Sequence, residues 1–209
     1  MAINTFAQSL EMAAGAGNPT GNGPTIANQV ITFQQNANDP SDNVFSTYSP
    51  TITTTYSFSN QQYASIPTAQ ISTGTGLSFG AAVSASTTSP LVTPSSIYPL
   101  MSFISLAPST SFTSKTLNSA GSGIDVGTNR AVQVFTSAKP QTNGNLATNG
   151  RYNFGQLTIT FSRPVNDPMI HIVGLGGTYG TLGFTTELEL VGGYPMTRMA
   201  GNQFFGLSG

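Results

Sequence analysis

Residues 151–191, RYNFGQLTITFSRPVNDPMIHIVGLGGTYGTLGFTTELELV, hold the most regular strand patterns of the chain, with its one histidine and two of its four arginines. Residues 156–162 alternate, with Leu157, Ile159 and Phe161 on the inward face and Thr158 and Thr160 on the other. A period of two marks a half-buried strand. Residues 169–175, MIHIVGL, are nearly continuously apolar and read as a central strand. Residues 182–191 place Phe184, Leu188 and Leu190 on one face and Glu187 and Glu189 on the other. Arg163-Pro164 stops the first strand, Asp167-Pro168 makes a turn that Arg163 and Asp167 can bridge, and Gly174-Leu175-Gly176-Gly177 permits a sharp bend with positive φ.

Working outward, the same logic finds more short strands. Residues 29–35 (QVITFQQ) are rich in β-branched and aromatic side chains. Residues 52–58 set Ile52, Thr54, Tyr56 and Phe58 against Thr53, Thr55 and Ser57. Residues 131–137 (AVQVFTS) alternate, and the Asn-Gly pairs at 143–144 and 149–150 are turn signals. Between 63 and 108, GLSFGAAVSAS holds one strand and IYPLMSFISL another, which Pro99 interrupts or confines to an edge. The pair Phe204-Phe205 closes the sheet. Residues 3–14 fit a short helix or an incoming strand, and the Gly/Asn/Pro run 14–24 is a loop, so 1–24 form an N-terminal arm. Many short strands and no ordinary amphipathic helix predict an all-β chain: one antiparallel β-sandwich domain over 1–209, of jelly-roll or immunoglobulin-like kind.

Composition narrows the function. Charged residues are 6% of the chain, against roughly 25% in an ordinary soluble domain. Hydrophobic residues at 38% and a net charge of -1 favour a packed core over disorder. Solubility must then come from hydroxyls and amides, and a near-neutral surface repels its own copies weakly. The scattered charges form no basic stripe, which argues against nucleic acid as a partner. There is no cysteine for a disulfide or thiolate metal site. No apolar run is long enough for a membrane span, and the N-terminus lacks the basic and apolar regions of an export signal.

Each candidate for chemistry has a plainer structural reading. His171 lies in an apolar run with nothing nearby to complete a triad, so a structural imidazole is expected. Glu187 and Glu189 stand about 6.5–7 Å apart if extended, within reach of glycosidase geometry. A solvated strand face is the simpler account, since glycosidase carboxylates usually come from different strands and the chain has no Trp to stack a sugar. Asn36, Asn38, Asp39 and Asp42 make an oxygen-rich turn, so Asp39 and Asp42 are the candidate metal ligands and calcium the one cofactor admitted. Asx-turn capping is the simpler account of them, and of isolated Asp125 and Asp167. The GLGG run lacks a phosphate-loop pattern, and no spacing gathers the seven tyrosines on one face.

The segment FSRPVNDPMIHIVGLGG (161–177) with TLGFTTELELV (181–191) resembles a β-sandwich module of large bacterial cell-surface, adhesin-like proteins. In these a strand ending in FSRPV leads to a DP turn, an apolar strand bearing a histidine, and GLGG. The resemblance covers about residues 161–191, implies an extracellular β-sandwich with an adhesive or structural role, and transfers no catalytic residue. The expectation is a non-enzymatic cell-surface adhesin domain or self-assembling filament subunit, whose N-terminal segment 1–14 adds as a strand to a neighbour. A carbohydrate-binding module using tyrosines and Asn/Asp side chains is the first alternative. A viral coat or spike protein is the second, and a glycosidase the last. Self-association is the expected partnership, with a glycan or host surface as further ligand.

Overall fold

A strand survives only if its amide groups find a partner, and in this chain most strands are too short to keep one partner for long. The computed structural model describes residues 12, 17–37, 44–63, 76–83, 96–103, 112, 130–136, 145–147, 149–166, 168–179, 182–192 and 196–201. Among them every regular element is a β-strand, and the strands pair antiparallel in several small sheets.

The first unit is a long, interrupted hairpin. Strands β1 (Gln29–Thr32) and β2 (Gln34–Asn36) face β4 (Thr53–Ser59) and β3 (Phe45–Thr47) respectively. Phe33 alone separates β1 from β2, whereas residues 48–52 separate β3 from β4. The surplus residues make a bulge that turns side chains inward, as bulges do. Tyr48 and Ile52 pack there on Phe33, with Met12 and Phe161 against them. The ladder is rejoined by the Phe33 N–H donating to the Ile52 carbonyl at 2.9 Å.

The second unit is a junction of three bent segments. Strands β5 (Leu77–Phe79) and β6 (Ala81–Val83) bend at Gly80. Strands β7 (Ser96–Tyr98) and β8 (Met101–Phe103) bend at Pro99-Leu100. Strands β9 (Arg130–Val132) and β10 (Val134–Thr136) bend at Gln133. Each segment changes partner at its bend: β6 pairs with β7, β8 with β9, and β10 with β5. The bends are themselves linked, since the Gly80 N–H donates to the Gln133 carbonyl (2.8 Å) and the Gln133 N–H to the Leu100 carbonyl (2.9 Å). The N-terminal loop completes the junction. The Gly23 N–H donates to the Tyr98 carbonyl, the Leu100 N–H to the Gly21 carbonyl, and Thr25 exchanges two bonds with Phe79.

The third unit ties the chain together over a long span. Strand β11 (Gln156–Phe161) pairs with the far side of β4, giving a sheet in the order β1-β4-β11. One face carries rows running Ile31–Thr54–Phe161 and Gln29–Tyr56–Ile159, with Phe58 beside Leu157. Ile31 and Thr54 are fully buried there, while Val30 on the opposite face is exposed. Phe58 stacks on Phe79 of the junction at a centroid separation of 4.1 Å. Phe79 is fully buried, which is worth roughly 1.5–3 kcal/mol, so this stack is an apolar link between the sheet and the junction. Last come β12 (Gly176–Tyr179) and β13 (Leu182–Thr185), a small hairpin of their own.

The alternation expected for 52–58 and 156–162 is present, although Leu157, expected inward, is 40% exposed because among the described residues β11 is the edge strand of its sheet, and the segments 29–35, 76–86, 97–106 and 131–137 do supply strands, each broken where it changes partner or bulges. Two expectations are corrected. Residues 169–175 form no strand: Gly174 has φ +76, which breaks the extended run, and Ile170 and Val173 are exposed rather than central. The strand expected over 182–191 stops at Thr185, and Leu188 and Leu190 are exposed rather than inward. A continuous apolar run reports that a segment can be buried, not that a neighbouring strand is there to pair with it. Residues 1–11, most of the N-terminal arm and Phe204-Phe205 lie outside the described residues.

Gly80 and Gly23 are where the junction tolerates no side chain. A Cβ on Gly80 would lie 2.5 Å from the Tyr98 carbonyl oxygen and 2.7 Å from the Gly23 nitrogen, at φ +55. A Cβ on Gly17 would meet nothing within 4 Å at φ +81, so it isolates the conformational cost. That cost is roughly 1–2 kcal/mol, and overpacking against backbone adds roughly 1–3 kcal/mol. Thermal unfolding should therefore place Gly80→Ala several degrees below Gly17→Ala; equal melting temperatures would show that the bends are looser than this packing implies.

Candidate functional site

Two places outside the core bring together groups that can meet a partner. The first lies where β4 ends and β11 begins. After Ser59 the chain turns at Asn60, held at φ 52, an angle Asn tolerates better than most residues. Tyr63 then meets Phe154 edge-on at 5.4 Å and Tyr152 at 6.4 Å. Amides surround the rings. Asn60 Nδ2 donates to Gln156 Oε1 at 2.8 Å, Gln62 Nε2 donates to the Asn60 carbonyl at 3.2 Å, and the Leu77 N–H donates to Gln61 Oε1 at 3.1 Å.

The rings are also fasteners. The Tyr152 hydroxyl donates to the Ala147 carbonyl at 2.6 Å. A Cβ on Gly150 would fall within 2.5–2.8 Å of the Tyr152 ring, and one on Gly76 within 2.8 Å of Phe154. Each of these two rings thus rests on a glycine, and the cluster pins the turn 145–155 to the sheet. The sequence offered no spacing that gathers tyrosines. The signal that was present is Tyr152-x-Phe154, two aromatics on one face just before β11.

The second place is formed by the described residues between 168 and 199, namely 168–179, 182–192 and 196–199. Ile170, Val173, Leu188, Leu190, Val191, Met196 and Met199 are all large apolar side chains on the surface. Leu188 is 60% exposed and Val191 71%. The tract is anchored beside the start of β11, because Arg151 forms an ion pair with Glu187, both side chains being exposed. The Thr186 N–H and the Thr185 hydroxyl both donate to the Leu175 carbonyl. Singly scattered apolar side chains are ordinary on a surface, but contiguous ones mark interaction sites.

The expected chemistry is placed as follows. Glu187 is engaged by Arg151, and Glu189 stands exposed on the same tract. Among the described residues no three metal-ligating side chains gather. Asp39 and Asp42, the calcium candidates, lie outside the described residues, as do Asn38, Asp125 and Asp167, so the Arg163–Asp167 bridge lies there too. No described helix is long and apolar enough to cross a membrane. The GLGG run bends at Gly174 and leads into β12.

His171 is half-buried, with its ring 5.5 Å from that of Phe112. Burial holds the imidazole below its ordinary value of 6.5, because removing water disfavours the charged form. The folded state therefore prefers neutral His171. Its contribution to stability is complete above about pH 6.5 and is lost as pH falls through the lowered folded value. Melting curves should show wild type losing more stability than His171→Phe on acidification from about pH 7.5 to about pH 4.5. Parallel losses would mean that the imidazole is solvated in the folded state.

Comparison of the chain with protein-family models, with curated proteins and with solved structures returned no match.

Proposed function

We propose that this is a non-enzymatic structural or adhesive protein of the cell surface, displayed outside the cell, either an adhesin domain or a subunit that assembles with its own copies. The carrying observation is the described surface tract between 168 and 199, where Ile170, Leu188, Leu190 and Val191 lie exposed on a chain with 6% charge. A monomer gains nothing from keeping such side chains in water, whereas a contact surface does. The hydroxyl- and amide-rich composition is consistent with this, since it offers little charge repulsion between copies. The resemblance of 161–191 to adhesin-like surface modules points the same way.

In this reading the small sheets close into a β-sandwich around Phe58, Phe79 and the Phe33–Tyr48–Ile52 cluster. Sandwich packing is supported by the Phe58–Phe79 stack, which places the β1-β4-β11 sheet against the junction. Calcium at Asp39 and Asp42 stays part of the proposal only as an accessory ion.

A carbohydrate-binding module is the second reading, favoured by one observation. Tyr63 and Tyr152 lie together with Asn60, Gln62 and Gln156, the combination of flat apolar faces and amides that sugars require. The close approach of Gly150 to the Tyr152 ring weighs against it.

Negative-stain electron microscopy and sedimentation at physiological salt separate the two. The first reading expects concentration-dependent oligomers, filaments or shells. Monomers at every concentration, with glycan binding that Tyr63→Ala removes, would replace it with the second.

A further inference from the structure

We propose that residues 186–191 of one copy add as an antiparallel strand to the outer edge of β11 in a second copy, so that each chain carries both halves of its own assembly contact. This rests on the self-association reading above and names the two surfaces that meet.

The donor is a strand in pattern but not in pairing. Thr186-Glu187-Leu188-Glu189-Leu190-Val191 alternates with period two, yet no described strand includes it. Within its chain it is held at one end, by the Thr186 N–H on the Leu175 carbonyl and by Glu187 on Arg151. Beyond Glu187, Leu188 and Leu190 turn more than half of their surface to solvent.

The acceptor is a strand in pairing on one side alone. In an antiparallel ladder the amide groups of successive residues point alternately to the two neighbours. The Ser162 N–H donates to the Thr53 carbonyl, so the even-numbered residues of β11 face β4 and the backbone groups of Leu157, Ile159 and Phe161 face away from it. Among the described residues no strand lies beyond that edge. The opposite edge of the sheet is treated differently. Asn18, itself buried, donates from Nδ2 to the Thr32 carbonyl at 3.0 Å and accepts from the Thr32 N–H at 2.6 Å. Its amide imitates a neighbouring peptide and closes β1 at that point, whereas among the described residues β11 has no such guard. An unguarded edge is a template for another chain.

Donor and acceptor match in length, apolarity and charge. Both are six residues long. Setting Glu189 opposite Thr158 brings Leu188 beside Ile159 and Leu190 beside Leu157. This extends the apolar row that already runs through Tyr56 and Phe58, and it covers Leu157, which is 40% exposed. Glu187 and Glu189 then fall on the other face over Thr160 and Thr158, where β11 offers no acid to repel them. Strand addition of this kind draws its affinity from main-chain bonds and its register from alternate side chains.

The absence of cysteine makes the test direct. Thr158 and Glu189 would be a non-hydrogen-bonded pair, with Cα atoms about 4.5 Å apart, close enough for a disulfide. Full-length Thr158→Cys and full-length Glu189→Cys, mixed and mildly oxidised, should form a mixed dimer in preference to either homodimer. Leu190→Pro removes an N–H from the proposed ladder while leaving every described strand intact. It should weaken association by at least about tenfold, with unchanged circular dichroism. Three results overturn the proposal: no preference for the mixed dimer, undiminished assembly of Leu190→Pro, or cross-linking of the double variant within single chains at high dilution. If assembly persists in Leu190→Pro but is lost on deleting residues 1–14, the subunit reading stands and the donor is the N-terminal arm. If wild type never associates, both the strand assignment and the subunit reading fall.

Discussion

The hydrogen bonding of β4 on both of its sides is the constraint on which the rest of the structure depends. Thr53–Ser59 pairs with β1 along one edge and with β11, about a hundred residues later, along the other. The side chains of β4 then set the interior. Thr54 is fully buried and turns its hydroxyl onto the Thr160 carbonyl, so a polar group is carried into the core with its bond satisfied. Tyr56 lies in the middle of the sheet, and burial pushes its hydroxyl up to about 12. Phe58 reaches out of the sheet to Phe79. One strand thus connects the N-terminal hairpin, the junction and the C-terminal third, and the long loops between those parts are closed by its pairing.

The junction solves a different problem. Segments of three residues bury too little to stand as separate sheets. Exchanging partners at Gly80, Leu100 and Gln133 lets each segment serve two neighbours, and linking the bends by backbone bonds keeps their amides satisfied. The crossing of Gly23 over Gly80 is what this arrangement requires, because two backbones approach closely there. Loop residues 21–25 act in this way as a further rung of the sheets, which is why a stretch rich in Gly, Asn and Pro is ordered without being a strand.

Legibility in the sequence followed the number of partners. The faces of 52–58 and 156–162 were readable because both strands keep their neighbours along most of their length, so period-two alternation survives intact. Pro99 announced its bend, since proline cannot continue a ladder, but Gln133 did not, as nothing in a glutamine marks a change of partner. The bulge at 48–52 was invisible for the same reason: Ile52 reads as an ordinary first residue of the 52–58 strand, and nothing in the sequence marks Tyr48 as its neighbour in the core. Residues 169–175 and 186–191 were misplaced because apolar patterning records what a segment can bury and is silent on where its partner lies. The Tyr63–Tyr152–Phe154 cluster was missed because it joins residues about ninety positions apart through contacts that no local spacing encodes.

The scarcity of charge bears on the edges in particular. Most proteins blunt an exposed strand edge with lysine, proline or an inward-pointing charge. A chain with six basic and seven acidic residues has few of these to spend on edges. At β1 the work is done by a neutral amide, Asn18, placed by the loop that also completes the junction. At β11 the residues whose backbone groups face away from β4 are Leu157, Ile159 and Phe161, with threonines between, and none of these resists pairing. The same composition that makes the surface weakly self-repelling leaves the outer edge of β11 without a paired strand among the described residues. The acidic residues that the C-terminal tract does carry, Glu187 and Glu189, alternate with its leucines in sequence, so that pairing as a strand would set them on the face away from the leucines. In the proposed added strand that position keeps charge on the solvent side while the leucine side docks, which is what a segment that must wait for a partner needs.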